Sequence, residues 1–302
     1  MRKSENTWKS SLALFAAAFI WGTAFVAQSV GMDYLGPLAF NGARFLMGSA
    51  VLLPVICFNR TKRRREGRVP GNLKAAAAGG VCCGLVLCAA ALLQQYGILE
   101  TSVGKAGFIT TLYIVLVPFF GVFLRRKIPG KVWAGAGIAL LGMYLLCVDG
   151  GFRPAKGDVL LFACAILFSI HILVIDCFSS RADGVELSCV QFLTAGIIAG
   201  VLSFFLEKPA AGDFIDGIIP LAYAGILSSG VAYTLQVVGQ KKTNPAVASL
   251  ILSLESVISA LAGWAVLGQK LTERELVGCG LVFCAVILVQ LPKRRFIKQR
   301  FH

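Results

Sequence analysis

The sequence predicts an all-α integral membrane protein with ten transmembrane helices, arranged as two inverted-topology five-helix repeats. Three observations lead to this fold class: an apolar composition, ten apolar stretches of spanning length, and similarity between the two halves. The 302 residues are 57% hydrophobic and only 15% charged, against roughly 25% charged residues in a typical soluble domain. A soluble globule of this size would need a far more polar surface.

The apolar stretches lie at about 12–31, 36–58, 73–96, 106–124, 132–149, 158–178, 187–206, 217–238, 246–267 and 274–291. Each is about long enough to cross a hydrocarbon core of roughly 30 Å as a helix. The first could instead be a cleaved signal peptide, because it follows the basic residues Arg2, Lys3 and Lys9. It is longer than the apolar region of a signal peptide and nine more stretches follow, so we interpret it as an uncleaved span.

Basic residues predict the orientation. With ten spans and a cytoplasmic N-terminus, 22 of the 29 Lys and Arg residues fall on the cytoplasmic side and six on the other, while Arg44 lies inside a span. This asymmetry follows the positive-inside rule and places both termini in the cytoplasm, with the protein in the plasma membrane. The basic runs at 60–68 and 292–300 flank apolar spans, so we attribute them to topology and membrane lipids, not to nucleic acid.

The ten cysteines lie almost entirely in or at the ends of apolar stretches, and no CxxC motif occurs. We interpret them as small apolar packing residues. With only two histidines, His171 and His302, the sequence predicts neither a Cys/His metal site nor a cofactor.

The two halves of the chain match when one is shifted by 142 residues. The segment at 92–112 then aligns with 234–254, and identical residues include the pair Gln94 and Gln236. We therefore divide the chain into a first five-helix repeat, 1–150, and a second, 151–302, with its basic tail. Because five is odd, the second repeat begins on the opposite side of the membrane. Inverted repeats are typical of secondary transporters, whose substrate site lies near the bilayer midplane between them.

Three segments resemble the EamA-type transporters of the drug/metabolite transporter superfamily: FIWGTAFVAQ at 19–28, the run at 108–146 and the run at 246–288. The resemblance spans nearly the whole chain and implies a ten-helix exporter or exchanger of amino acids and other small metabolites. Two positions depart from that family's pattern. Ser256 follows Glu255 where a proline is common, and Gln269 follows Gly268 where a glutamate is common.

Candidate functional residues are polar or aromatic side chains inside the spans, because ionisable groups there usually face the interior of the bundle. We expect the following to line a cavity, for substrate binding or coupling: Trp21, Asn41, Arg44, Thr111, His171, Tyr233, Gln236 and Glu255. Arg44 could anchor a substrate anion, or it could pair with Glu255 or with backbone carbonyls. His171 could couple protons, or it could be a neutral histidine bonded to a neighbouring helix.

Glu255 is a carboxylate in a run of otherwise apolar and small residues from 246 to 267. At the shift of 142 its counterpart is Tyr113, and at 143 it is Leu112. The charge is therefore not part of the repeated scaffold. This asymmetry favours a role in substrate binding or coupling, with a structural ion pair to Arg44 as the competing interpretation.

Several local patterns predict helix geometry. Gly80 and Gly84 form a GxxxG motif that allows close helix packing. Gly97 and its counterpart Gly239 are expected to cap helices at their C-terminal ends. Pro118 should kink or loosen the fourth span.

"TNP" at 243–245 offers Asn244 as an N-cap, with a proline at the first helical position. No Walker motif occurs, so ATP-driven transport by this chain alone is not expected.

The sequence lacks the features of two other function classes, a membrane enzyme or accessory protein and a channel. A membrane enzyme or accessory protein acting on a lipid-linked substrate would need paired catalytic groups at one membrane face, and the surface acids are scattered. A channel would show a ring of like residues or a filter segment. The sequence therefore favours a non-enzymatic secondary transporter that works by alternating access around a midplane cavity.

Overall fold

The computed structural model describes residues 2–67, 71–147, 155–268 and 271–291, and every regular element in these ranges is helical. The elements are α1 (Arg2–Gly31), α2 (Pro37–Arg65), α3 (Leu73–Ile98), α4 (Val103–Thr110), α5 (Tyr113–Phe123), α6 (Gly130–Cys147), α7 (Lys156–Ser179), α8 (Gly184–Leu206), α9 (Ala211–Asp216), α10 (Ile218–Ala222), a π-helix (Tyr223–Tyr233), α11 (Thr234–Gln240), α12 (Pro245–Leu252), α13 (Leu254–Leu267) and α14 (Glu273–Gln290). The predicted repeat boundary at 150/151, Gln269 and the basic tail 292–302 lie outside the described residues.

Eight helical segments in the described ranges are long and apolar enough to cross a membrane. They are Trp8–Gly31, Pro37–Arg65, Leu73–Ile98, Val103–Phe123, Lys156–Ser179, Gly184–Leu206, Ile218–Gln240 and Pro245–Leu267. A helix satisfies most of its backbone donors and acceptors internally, which a bilayer core demands. The chain is thus a multi-pass membrane protein.

The other two predicted spans form α6 and α14, which have 18 residues each. The apolar part of α6 is short, Gly130–Leu145, and α14 begins with the charged run Glu273, Arg274 and Glu275. The two helices pack directly against each other. A Cβ on Gly142 of α6 would lie 2.6 Å from the carbonyl oxygen of Gly278 in α14, so the glycines allow a very close crossing.

Two spans are interrupted at equivalent positions. The helix pair α4 and α5 breaks at Thr111, and the pair α12 and α13 breaks at Ser253, which is 142 residues later. At each break the hydroxyl donates to the carbonyl three residues earlier, Thr111 Oγ1 to Phe108 O and Ser253 Oγ to Leu250 O, both at 2.8 Å. Such local bonds compete with the helical ladder.

The sequence predicted that Pro118 would kink or loosen the fourth span, and the interruption of that span does not lie at Pro118. Pro118 lies inside α5, which continues to Phe123. The interruption lies seven residues earlier, at Thr111. A proline removes only one backbone donor from a helix. The regular helical hydrogen bonds stop instead between Thr110, where α4 ends, and Tyr113, where α5 begins, and there the Thr111 hydroxyl bonds to the backbone.

The span Ile218–Gln240 contains a π-helix that the sequence analysis did not predict. It covers Tyr223–Tyr233 and lies between α10 and α11. Ser229 Oγ donates to the carbonyl oxygen of Ala224, five residues earlier, at 2.9 Å. On its α2 side the packing is close, because a Cβ on Gly48 would lie 2.7 Å from Ser229 Cβ. π-helical segments inside α-helices occur frequently at functional sites.

The GxxxG prediction is confirmed. A Cβ on Gly80 would lie 2.4 Å from Val190 Cβ, and one on Gly84 would lie 2.6 Å from Thr194 Cβ, so α3 and α8 pack through these two glycines. The N-cap prediction is confirmed as well. Asn244 Oδ1 accepts a hydrogen bond from the amide of Ala246 at 3.0 Å.

The predicted caps at Gly97 and Gly239 are wrong, because both glycines lie inside helices and the C-caps are Leu99 and Lys241. Their small size serves helix crossing instead. A Cβ on Gly97 would lie 2.6 Å from Leu161 Cγ, and one on Gly239 would lie 2.8 Å from Leu14 Cγ. Gly97 and Gly239, which occupy equivalent positions in the two halves, each lie in close contact with a neighbouring helix.

Helices of the two halves interleave. Helix α1 packs on α13, α2 on α8, and α3 on both α7 and α8. The main hydrophobic core draws residues from both halves, including the stacked pair Phe45 and Phe192, whose ring centroids are 6.1 Å apart. This interleaving positions polar side chains from both halves around one central space.

Candidate functional site

A central cavity lies between the two halves of the chain, with an empty volume of about 440 Å³ that includes space open to the surroundings. Its walls carry a few polar groups among aromatic and aliphatic side chains. The lining residues are Trp21, Phe25, Gln28, Arg44, Gln94, Thr110, Tyr113, Phe168, Ile172, Ser228, Tyr233, Gln236, Leu252 and Glu255.

Arg44 brings a cationic group to the cavity. Its side chain is 1% exposed, and two of its nitrogens are bound: Nε donates to Asn41 Oδ1 at 2.9 Å and Nη1 donates to Gln28 Oε1 at 3.0 Å. Its third nitrogen, Nη2, is buried and has no hydrogen-bond partner among the described residues. An unsatisfied buried donor is costly, so this nitrogen is poised to donate to a ligand.

Glu255 brings a carboxylate to the same cavity. It lies in the first turn of α13, next to the break at Ser253, and its side chain is buried. Tyr113 donates its hydroxyl to Glu255 Oε1 at 2.8 Å. Tyr113 is the counterpart of Glu255 at the shift of 142 residues, so the two equivalent positions of the halves meet in space. The other carboxylate oxygen makes no hydrogen bond to a described residue.

Arg44 and Glu255 do not pair. Both border the cavity, yet the hydrogen bonds of Arg44 go to Asn41 and Gln28 and that of Glu255 comes from Tyr113. The ion pair considered from the sequence is therefore not formed in this structure. Arg44 and Glu255 instead face one space, and each keeps an atom that forms no hydrogen bond to a described residue.

Two aromatic rings form one wall of the cavity. Trp21 of α1 and Tyr233 at the end of the π-helix are packed edge to face, with centroids 4.5 Å apart at 61°. Trp21 Nε1 donates to the carbonyl oxygen of Ser228 at 3.2 Å. This bond anchors the indole on the π-helix and leaves the ring surfaces for apolar contact.

Gln94 and Gln236, which match at the shift of 142 residues, both line the cavity. Gln94 Nε2 donates to Thr110 Oγ1 at 3.4 Å. Gln236 is 2% exposed, and its Oε1 has no hydrogen-bond partner among the described residues. Gln236 therefore has an unoccupied acceptor in the cavity that Glu255 also lines.

Five of the eight residues expected to line a cavity do border this one: Trp21, Arg44, Tyr233, Gln236 and Glu255. Asn41, Thr111 and His171 do not, because each faces a helix interface. Asn41 lies behind Arg44 and also donates to the carbonyl of Pro37 at 2.9 Å. Thr111 Oγ1 lies 2.9 Å from the sulfur of Met143 in α6.

His171 is fully buried between α7 and α8. Its Nε2 lies within hydrogen-bond distance of Gln191 in α8, 3.0 Å from Oε1. One ring edge packs on Tyr233, with centroids 6.0 Å apart. This geometry is that of the histidine bonded to a neighbouring helix, and it places His171 behind the cavity wall.

Tyr113, Gln28 and Ser228 also line the cavity and are not among the eight residues expected from the sequence. For Tyr113 a signal existed, because it is the repeat counterpart of Glu255. For Gln28 the signal was its position two turns after Trp21 on the same face. Ser228 contributes its backbone carbonyl, and no side-chain pattern reveals that.

The chemistry of the cavity comes from a few polar side chains and an aromatic wall. Among the described residues no group of three or more His, Cys, Asp or Glu side chains could hold a metal ion. The groups that the cavity presents are a guanidinium nitrogen and an amide oxygen without hydrogen-bond partners among the described residues, a carboxyl group and an aromatic wall.

Comparison with known proteins agrees with a membrane carrier. An uncharacterized transporter of Archaeoglobus fulgidus is 29% identical over 288 residues, which cover 93% of this chain and 86% of that protein. A probable terminal-alkyne amino-acid exporter of Streptantibioticus cattleyicolor is 22% identical over 309 residues, covering 98% and 97% of the two chains.

One solved crystal structure superposes with a TM-score of 0.72 at 18% identity, covering 93% of this chain and 96% of the other, and so shares the fold. The model of the EamA-like transporter family matches twice, at residues 8–148 and 155–291. Together the two matches include nearly all described residues. The chain belongs to the EamA-like transporter family.

Proposed function

We propose that this protein is a secondary transporter that exports or exchanges a small zwitterionic metabolite, such as an amino acid. The proposal rests on one observation: Arg44 and Glu255 face the same cavity without pairing with each other. A substrate carboxylate would accept from Arg44 Nη2, and a substrate ammonium would lie between Glu255 and the free oxygen of Gln236. Charge-assisted bonds of this kind are the stronger ones in proteins.

The aromatic pair Trp21 and Tyr233 is the expected contact for the substrate's side chain. The name of the relative in Streptantibioticus cattleyicolor also speaks for an amino-acid substrate. A membrane enzyme finds less support, because the matching family and the relatives are described as transporters.

We further propose that ten spans form two inverted five-helix repeats and that the substrate moves by alternating access between them. Helices α6 and α14 would each reach about 27 Å at 1.5 Å per residue, close to the roughly 30 Å of a bilayer core. Support comes from the twofold family match at 8–148 and 155–291, from the equivalent breaks at Thr111 and Ser253, and from the contact between Tyr113 and Glu255. The positive-inside asymmetry supports cytoplasmic termini in the plasma membrane.

The test is substrate exchange in proteoliposomes. Each candidate amino acid is compared with two analogues, the amine that lacks the carboxylate and the acid that lacks the ammonium. We expect the intact zwitterion to exchange and both analogues to lose at least tenfold in rate, because each leaves one buried charge of the site unmatched. Arg44→Gln should lose discrimination against the amine, and Glu255→Gln should lose discrimination against the acid.

Matched controls are Arg274→Gln and Glu273→Gln, which remove the same charges from the start of α14, away from the cavity. Both should exchange at native rates. Native rates and native selectivity in Arg44→Gln and Glu255→Gln would refute the roles given to these residues. Equal exchange of the zwitterion and both analogues would refute the zwitterionic substrate class.

A further inference from the structure

A second and larger groove lies on the membrane-facing side of the protein, apart from the central cavity. It runs between α2 and the C-terminal end of α8 and has an empty volume of about 1160 Å³, part of it open to the surroundings. The α2 wall reaches from Ala39 to Leu46, about 10 Å along the helix axis at 1.5 Å per residue. None of its lining residues borders the central cavity.

The floor of the groove is made by two glycines. A Cβ on Gly42 would lie 2.8 Å from the backbone nitrogen of Gly200, so α2 and α8 touch there. A Cβ on Gly200 itself would meet nothing within 4 Å. The groove is therefore open above Gly200. One side of it is formed by Phe204 and Phe205, which are 72% and 66% exposed, as lipid-facing residues are.

One end of the groove carries a positive charge. Lys208 lines it just after the end of α8 and is exposed, and its ammonium makes no ion pair with a described residue. The neighbouring acid does not neutralise it, because the Glu207 carboxylate accepts hydrogen bonds from the backbone amides of Leu38 and Ala39, at 2.8 and 2.7 Å. Glu207 thereby caps the start of α2.

Lys208 is held in an unusual backbone conformation, with φ at +51°. Residues with side chains rarely adopt this left-handed region. The turn points the chain from α8 toward the short helix α9, whose Phe214 also lines the groove. Lys208 thus lies where the apolar walls of the groove end.

We propose that this groove is a binding site for one phospholipid, with an acyl chain between α2 and α8 and the phosphate on Lys208. The groove is apolar along its length and has one unpaired cation, Lys208, at its end. A phospholipid has the matching form, with apolar chains and an anionic phosphate at one end. A helix of a second protein copy would fill the apolar part but would leave Lys208 without a partner. The charge therefore favours the lipid.

The experiment measures the lipid that stays bound to the full-length protein after purification in mild detergent, by native mass spectrometry and phosphorus analysis. We expect one phospholipid per protein chain. Gly200→Leu should abolish retention, because its side chain points into the open groove. Lys208→Asn should weaken binding of added phosphatidylglycerol about fivefold, as expected for one basic residue near a lipid phosphate. Asparagine tolerates the left-handed backbone.

The chain offers two matched controls. Gly280→Leu adds the same side chain at an α14 position where a Cβ also meets nothing within 4 Å. Arg125→Asn removes a basic residue with the same left-handed backbone, φ +54°, at the end of α5. Both controls should retain lipid like the native protein. Lys208→Asn leaves the helix packing untouched, so the test stands even if Gly200→Leu folds poorly.

Three results would overturn the proposal. Native retention in both Gly200→Leu and Lys208→Asn would show that lipid binds elsewhere. Diacylglycerol bound as tightly as phosphatidylglycerol would show that the phosphate is not recognised. A dimer that dissociates on Gly200→Leu would show that the groove is an interface between copies of this chain.

Discussion

At the scale of single residues, the site depends on how Arg44 is held. Two of its three nitrogens are held by Asn41 and Gln28, and the third is buried without a hydrogen-bond partner among the described residues. The guanidinium carbon also lies 4.6 Å from the centroid of the Phe45 ring. A planar, forked cation suits this arrangement, and a compact ammonium does not.

We therefore predict that Arg44→Lys lowers substrate exchange about tenfold or more, although the charge is kept. Lysine cannot bond Asn41 and Gln28 and also reach the cavity. Initial exchange rates in proteoliposomes measure the effect. Arg274→Lys serves as the control and should leave the rate unchanged. Native rates in Arg44→Lys would show that charge alone is sufficient.

The contact between Tyr113 and Glu255 makes a second prediction at this scale. Tyr113→Phe removes one hydrogen bond to a buried carboxylate and should lower the free energy of unfolding by about 1–3 kcal/mol. In a Glu255→Ala background the same change should have little effect, because the partner is gone. The measurement is thermal unfolding in detergent of the native protein, the two single variants and the double variant, which together form a double-mutant cycle. Equal losses in both backgrounds would mean that the two side chains do not interact.

At the scale of elements, glycines set how closely helices approach. Helix α6 carries a matched pair: a Cβ on Gly142 would lie 2.6 Å from the Gly278 carbonyl, whereas a Cβ on Gly137 would meet nothing within 4 Å. Glycine to alanine at these two positions of α6 therefore separates the effect of helix packing from that of helix propensity.

Gly142→Ala should lower the free energy of unfolding by about 1–3 kcal/mol, because the added methyl forces α6 away from α14. Gly137→Ala should be neutral or stabilising by up to about 1 kcal/mol, because alanine favours the helix. Thermal unfolding in detergent distinguishes the two. A similar loss in both variants would contradict the close crossing of α6 and α14.

At the scale of the whole molecule, ion pairs join the two halves. Arg60 pairs with Glu186 at 2.8 Å and Arg126 pairs with Asp176, while Lys105 pairs with Asp158 at 2.7 Å. In the proposed topology the first two lie on the cytoplasmic side and the third on the opposite side. If the halves rock against each other, pairs on one side must open when that side opens.

We predict that Arg126→Asp and Asp176→Arg each lower exchange several-fold, and that the double swap restores at least half of the rate. Partly exposed ion pairs contribute only about 0–1 kcal/mol to stability. Thermal unfolding should therefore change little, while exchange rates change clearly. If the double swap is as impaired as the single variants, the pair has no part in the conformational cycle.

Particular residues show where prediction from the sequence stopped. The glycine pair Gly80 and Gly84 and the cap at Asn244 depend on local spacing, and the structure agrees with both. Gly97 was misread as a cap, because a glycine near a helix end fits either a cap or a close crossing. In the structure the helix continues past Gly97, and Gly97 packs against Leu161 of another helix. That contact is absent from any local pattern.

The sequence by itself determined that this is an apolar helical membrane protein with a carboxylate and an arginine inside its spans, because hydropathy and the bilayer's demand for satisfied backbone groups act along the chain. The tertiary structure alone decided which polar residues share the cavity. Asn41 and Arg44 lie on one helical face, yet only Arg44 reaches the space and Asn41 supports it from behind. Glu255 contacts Tyr113 and not Arg44 because of how separate helices are rotated and cross. The order of residues along the chain does not specify that rotation and crossing.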